Sequence, residues 1–208
     1  MYNHPMSGRR KNLAIEMQWA DGALAWLERL AATEFNRRAA FACDLAMAVL
    51  PIVGALALRE LRVAPALLVF GSGLLLFSLI EYAFHRWLFH GPDQAMQRGH
   101  ARHHDFPTGT DTLPFFIPPI SLFLLAGIFN EALPLAYALL LTGAIGCGYL
   151  AYGECHDAIH RKRFRNRWVR RWSGHHHVHH HHVGHNFGVT TPLWDMVFRT
   201  RYETRRRA

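Results

Sequence analysis

Three stretches of this chain carry no charged residue: Val63 to Ile80, Thr112 to Asn130 and Ala132 to Gly153. Uncharged apolar runs of about twenty residues match a hydrocarbon layer about 30 Å thick, because a helix rises about 1.5 Å per residue. With 208 residues, 50% of them hydrophobic, the chain has one domain's length. An ordinary soluble domain and a disordered chain are both excluded.

The runs resolve into four expected spans. Residues 39–58 form the first, with Asp44 near its start and Pro51 inside it. Residues 63–84 form the second and carry Glu81 near their end. Residues 113–129 form the third, where Pro114, Pro118 and Pro119 would make the first turn irregular or re-entrant. Residues 133–153 form the fourth. Ahead of them, residues 13–35 place Leu13, Met17, Leu24, Leu27 and Leu30 at mostly helical spacing, with acidic residues between. That pattern suits an amphipathic helix lying on a membrane surface or packed on a neighbour. The expected fold is all-α and integral to the membrane, with about four transmembrane helices. A cytoplasmic helical cap would be built from residues 85–112 and 154–200. The domain division is an amphipathic N-terminal segment, 1–38, followed by a membrane domain, 39–208. Met1 to Arg38 has no short apolar core followed by a small-residue cleavage site, so no cleavable leader is expected.

Charge sets the orientation. Four spans leave residues 1–38, 85–112 and 154–208 on one side, and 21 of the 23 Lys and Arg residues lie there. Only Arg59 and Arg62 fall opposite. The positive-inside rule assigns that side to the cytoplasm. The formal charge of +8 therefore reads as contact with anionic lipid and control of topology, and no nucleic-acid partner is expected. Cys43, Cys147 and Cys155 are odd in number, form no CxxC and sit in or beside apolar runs. They are expected to be buried thiols, not a disulfide framework or a thiolate metal site.

Histidine is the second anomaly. The chain has 16, of which 15 lie between His85 and His185, all on the basic side. They fall in four clusters: His85 and His90 at the exit of the second span; His100, His103 and His104; His156 and His160 at the exit of the fourth; and a run within His175–His185. Residues three and four apart share a helix face, so HxxHH presents three imidazoles together and HxxxH presents two. Five residues turn an α-helix by about 140° past a full turn. His85 and His90 must therefore straddle a metal pair or sit where the helix unwinds. Ten histidines exceed the four ligands of a structural zinc and suit two metals held by imidazole, which iron, copper, zinc and nickel all accept. The carboxylate type of two-iron site needs Glu-x-x-His, and this chain has none. In the last run His177, His180 and His181 are the preferred ligands, with Val178 as an apolar anchor. His176, His179 and His180 form an equally legal HxxHH, so the register stays open. His175, His182 and His185 are left as orienting, solvent-facing or weakly metal-capturing groups.

The stretch from Ser78 to His90, with Glu81, Tyr82 and Arg86, resembles the first histidine box of the fatty acid 2-hydroxylases. His100 to His104 is similar to the second. Tyr152 to His160 is similar to the third, with a tyrosine four residues before its first histidine. Asn186 to Thr200 is much like the closing signature of the fatty acid hydroxylase/sterol desaturase superfamily. The resemblance runs in consistent order from about Leu67 to Thr200; two residues fewer separate the last box from Asn186. It implies a membrane enzyme whose histidines hold two iron ions, with zinc a possible substitute, and which uses O2 to oxidise a lipid C–H bond. The implied ligands are His85, His90, His100, His103, His104, His156 and His160, with His177, His180 and His181 from the last box. Electrons are expected from a separate donor protein. Histidine ligands usually need an acceptor to fix the ring. Glu81, one turn before His85, and Asp105 and Asp157, beside ligand candidates, are the carboxylates expected in that role. Gly188, Thr190, Thr191, Trp194 and Asp195 are expected to form a turn that closes the last helix over the site.

The leading functional expectation is a fatty-acyl hydroxylase whose membrane lipid substrate reaches the metals from the bilayer. Sterol or carotenoid oxidation is the alternative within that chemistry. A His-rich metal transporter is the alternative outside it. Transport would call for polar ligands inside the spans, whose centres are almost purely apolar.

Overall fold

The computed structural model describes residues 23–91, 95–109 and 112–203. Residues 1–22, with the first half of the expected amphipathic helix, lie outside them. The described residues are helical, with no strand among them. The helices are α1 (Ala23–Ala31), α2 (Glu34–Ala57), α3 (Val63–Ala83), α4 (Ala95–Asp105), α5 (Ile117–Asn130), α6 (Leu135–Arg161), α7 (Arg167–His181) and the short α8 (Leu193–Val197).

Local chemistry sets several boundaries. Thr33 caps α2 by accepting a 3.0 Å hydrogen bond from the Asn36 amide, which satisfies one of the donors a helix start leaves orphaned. Asn166 caps α7 in the same way, accepting from the Trp168 amide at 2.8 Å. Pro134 precedes α6 and fixes its first turn.

Among the described residues three helices are long and apolar enough to cross a bilayer: α2, α3 with its continuation to Phe89, and α6. The third expected span is shorter than the sequence suggests. Its proline-rich start leaves Leu113 and Pro114 outside any helix, and α5 has 14 residues, about 21 Å at 1.5 Å per residue. Among the described residues three helices therefore have full spanning length, with α5 as a shorter apolar helix. The connection still works. Residues 58–62 turn α2 into α3, residues 131–134 turn α5 into α6, and both α3 and α6 run toward the histidines. Two boundaries also move outward: α2 begins at Glu34, not at residue 39, and α6 continues to Arg161, about two turns beyond the expected end.

α6 is the central helix; α2, α3 and α5 all pack on it. Phe77, Leu122 and Ile145 are the buried core where α3, α5 and α6 meet, surrounded by Met47, Leu125, Phe129, Leu141, Tyr149 and Tyr152. The opposite faces of α2, α3 and α5 expose large apolar side chains, including Leu50, Leu56, Leu67, Leu68 and Phe123. Such a surface is unfavourable in water and normal against lipid tails.

The α2–α6 contact is backbone-close. Pro51 has no N–H to give the Met47 carbonyl one turn earlier, and α6 approaches that carbonyl through Gly146. A Cβ there would stand 2.8 Å from the Met47 oxygen, too near for any side chain. Small residues that let backbones approach are a main source of helix cohesion in lipid, where burial drives little. We expect Gly146→Val to force α2 away from α6 and cost about 1–3 kcal/mol, read as a lower melting temperature in detergent with metal binding lost only as the protein unfolds.

Polar contacts link neighbouring segments. Buried Asn36 donates to Thr112 Oγ1 at 2.8 Å and to the Leu113 carbonyl at 3.0 Å, and accepts from the Phe115 amide at 2.9 Å. Arg98 of α4 pairs with Glu28 of α1 at 2.8 Å.

Candidate metal centre

The histidine side chains come from four places: the end of α3, α4, the end of α6, and α7. At the end of α3 the backbone changes from α to π over Phe84–Phe89. A π-turn closes its hydrogen bonds over five residues instead of four, which widens the turn and brings His85 and His90 closer to one face. The HxxxxH spacing that fits an α-helix poorly is thereby accommodated, and the helix unwinds to do it.

Ten histidines converge as two groups of five. His85, His90, His100, His104 and His179 form the first; His103, His156, His160, His176 and His180 form the second. In each group one nitrogen from every ring lies within 4.8 Å of all the others. Each group takes a pair from a membrane helix end, a pair at i, i+4 from one cap helix, and one ring from the other cap helix. Thus α4 gives His100 and His104 to the first group and His103 to the second, while α7 gives His176 and His180 to the second and His179 to the first. The groups adjoin, with the rings of His104 and His180 stacked at 4.3 Å between centroids.

Eight of the ten histidines named from the sequence lie in these groups. His177 and His181 do not: both are exposed, and His176 and His179, each 0% exposed, take their places. The last box therefore meets the groups in its second register, His176, His179 and His180, and not in the preferred one of His177, His180 and His181. The physical reason is helix phase. Val169, Trp172 and Ser173 face inward from the first turns of α7, and residues 176, 179 and 180 continue that face at spacings of three and four.

The spacing of the nitrogens is not that of ordinary hydrogen bonds. His100 Nε2 stands 3.1 Å from those of His85 and His90 and 3.0 Å from that of His104. His176 Nε2 stands 3.0, 3.0 and 3.1 Å from those of His156, His160 and His180. A neutral imidazole carries a single N–H and cannot bond three others through one nitrogen. With metal–nitrogen bonds of about 2.1 Å, ligands at right angles stand about 3.0 Å apart, whereas tetrahedral ligands stand about 3.4 Å apart. The donor sets therefore fit a cation of high coordination number better than a tetrahedral structural zinc. His103 Nε2, buried without a hydrogen-bond partner, is a donor that a cation in the second group would satisfy.

Two rings are fixed by carbonyls. His85 Nδ1 donates to the Phe187 carbonyl, and His179 Nδ1 to that of His185 at 2.7 Å. Each bond selects the tautomer that leaves Nε2 as a lone-pair donor.

The three carboxylates named from the sequence meet no histidine. Glu81 accepts from the Val189 and Thr190 amides and from the Thr190 hydroxyl. Asp157 is exposed and pairs with Arg161 at 2.6 Å, and Asp105 is exposed. The carboxylate that does meet a histidine is Asp195, 0% exposed. It accepts from His175 Nε2 at 3.0 Å, the Phe187 and Gly188 amides at 2.8 Å each, and Thr200 Oγ1 at 2.7 Å. Burial raises its pKa, but these hydrogen bonds outweigh it and hold the carboxyl below its usual range. Asn186 adopts a positive φ of 57°, which an Asn tolerates, and its side chain ties the His175 carbonyl to the Tyr202 amide. Tyr82 bonds Thr200 at 2.9 Å, and Trp194 bonds Ser78 at 2.9 Å. Residues 186–202 thus form a strap stitched to α3 on one side and α7 on the other. Cys43, Cys147 and Cys155 are all unpaired and only partly buried.

Outside the spans, burial pushes the imidazoles down: His90 to about 4, His103 and His179 to about 3, His180 to about 2. These rings are neutral near pH 7, as ligands must be. In the unfolded chain they titrate near the ordinary value of about 6.5, so below it the unfolded state binds more protons. Their contribution to stability is full above about 6.5 and falls as pH drops toward the folded values. We expect the metal-free protein in detergent to melt at lower temperature at pH 5 than at pH 7.5; an unchanged midpoint would contradict the neutral cage.

The sequence of residues 70–200 matches the family model described as fatty acid hydroxylase. The chain is 32% identical over 159 residues to the ceramide very long chain fatty acid hydroxylase SCS7 of Saccharomyces cerevisiae, covering 69% of this chain and 40% of that protein. It is also 32% identical over 150 residues to the fatty acid 2-hydroxylase of Homo sapiens, covering 64% of this chain and 39% of that protein. The chain therefore spans about two fifths of the length of these relatives. A solved structure of full-length Scs7p, in which only the hydroxylase domain is visible, superposes with a TM-score of 0.71 at 27% identity, covering 86% of this chain and 70% of that one. The histidine cage, the helical bundle beneath it and these matches agree: the chain belongs to the fatty acid hydroxylase family.

Proposed function

We propose that this protein is a membrane-bound oxidoreductase that hydroxylates a C–H bond of a lipid, most plainly on a fatty acyl chain, using two iron ions and O2. The observation that carries the reading is the pair of five-nitrogen groups with edges near 3.0 Å, set at the ends of membrane-spanning helices. Imidazole nitrogen suits iron, and nitrogens 3.0–3.1 Å apart would suit an ion with more than four ligands. The names of the relatives, which are fatty acid and ceramide hydroxylases, support the choice of substrate class. The distribution of basic residues supports a cytoplasmic site, and a separate protein is assigned the supply of electrons.

His85, His90, His100, His104 and His179 would hold one ion, and His103, His156, His160, His176 and His180 the other. Bound iron supplies the redox chemistry that activates O2. The chain's own residues do the rest. The Phe187 and His185 carbonyls keep two Nε2 atoms deprotonated and aimed inward. Glu81 and Asp195 hold the strap that presents the first of those carbonyls. Tyr152 stacks beneath His156, with centroids 5.6 Å apart, and with Phe77 and Tyr149 makes an aromatic floor between the cage and the apolar bundle. A floor of this kind keeps water off the bundle side of the site and offers an acyl chain an apolar approach from the bilayer.

The test is purification in detergent, metal analysis, and mass spectrometry of lipids after reaction with O2 and a reductant. Two irons per chain with a new hydroxylated acyl product is the expected result. Reversible zinc uptake with no change in any lipid would overturn the reading in favour of metal transport. Oxidised sterol or carotenoid in place of acyl product would overturn the substrate class.

A further inference from the structure

The register correction frees two histidines that the cage does not use. His177 and His181 lie four apart on α7, both exposed, so their rings project from one face with Cβ atoms about 5–6 Å apart. They occupy the last turn of the helix, which ends at His181, where the unpaired carbonyls of the helix end favour a bound cation. His177 also reaches the cage: its ring lies 5.7 Å, centroid to centroid, from that of His160, a member of the second group. The Arg161 guanidinium at the end of α6 is engaged by Asp157 and the Thr108 carbonyl at 2.6 and 2.9 Å. Among the described residues the other surplus histidines are engaged elsewhere. His175 bonds Asp195, and His182 and His185 pack on Tyr202 at 4.1 and 5.6 Å.

We propose that His177 and His181 form a surface site for a divalent transition-metal cation, and that it serves as the entry point through which the second group is loaded by way of His160. Two imidazoles at i, i+4 hold such an ion loosely, leaving water on its other positions, which suits capture and release better than storage. The entry role rests on the proposed reading of the inner groups as metal centres; the surface site does not.

The probe is Ni²⁺ in equilibrium dialysis against the full-length protein with its tightly held metal in place. Wild type should take up one exchangeable Ni²⁺ that His177→Ala/His181→Ala lacks, while His182→Ala/His185→Ala retains it. Uptake unchanged in the first double variant, or lost equally in both, would overturn the site. Refilling of the stripped protein tests the role: the first variant should reach the wild-type content of tight metal severalfold more slowly. An equal rate would overturn the entry role. If wild type binds the exchangeable ion but never holds tight metal, the metal-centre reading fails and the surface site stands.

Discussion

Substituting Ala for His176 should abolish metal binding in the second group and lower activity by more than the roughly 10- to 100-fold typical of losing a ligand's supporting contact. His176 is wholly buried, and its Nε2 is the atom nearest to three other donors of that group. Removing it opens one corner of the polyhedron and leaves a cavity the size of an imidazole. His177→Ala, one residue along, should leave the tightly bound metal content unchanged, because its ring projects outside the cage. The contrast between neighbours separates a donor of the second group from a residue outside it, and metal analysis of the two purified variants reads it directly. His176→Gln guards against simple misfolding, since it keeps the volume and polarity but not the imidazole donor. Equal metal loss in the His176 and His177 variants would mean that the helix phase, and with it the assignment of both groups, is wrong.

Asp195→Ala should be the most damaging change away from the cage. The carboxylate satisfies two buried backbone amides, one hydroxyl and one imidazole. Each buried donor left without a partner costs about 1–3 kcal/mol, and several are lost at once. Losing one partner of a buried charged network costs about 3–5 kcal/mol. The Phe187 amide would lose its anchor, and the Phe187 carbonyl on the same residue is what orients His85. The expected outcome is a markedly lower melting temperature together with weakened metal binding in the first group. Asp195→Asn keeps one accepting oxygen and should fall between. If Asp195→Ala melted like wild type and held its metal, the strap would have no part in positioning the ligands.

Much of this could be read from residues alone, for reasons that differ by element. Uncharged runs announce membrane helices because lipid tolerates little else. The HxxHH and HxxxH spacings announce ligand sets because helix geometry converts spacing into a shared face. The third span was overestimated because an apolar run fixes composition, while Pro114, Pro118 and Pro119 decide where the helix can begin. The last box was placed one residue off because its repetition hides the phase. The missing signal lay upstream, in Val169 and Trp172, whose spacing leads to residue 176. The carboxylates misled for another reason. Glu81, Asp105 and Asp157 were singled out by nearness in sequence, whereas the contacts on the cage rings come from the Phe187 and His185 carbonyls, and Asp195 meets only His175 outside the cage. Backbone carbonyls carry no side-chain signature, and their placement depends on how the strap folds back.

The exchange of rings between the two cap helices has a thermodynamic side. His103 and His104 are adjacent in the chain yet serve opposite groups, and so do His179 and His180. On the proposed reading, an ion in either group would fix both α4 and α7, so that a second ion would find its donors already ordered. That is positive cooperativity by shared ordering cost. At limiting metal, a population of this protein should divide into empty and doubly filled molecules, with few that carry a single ion.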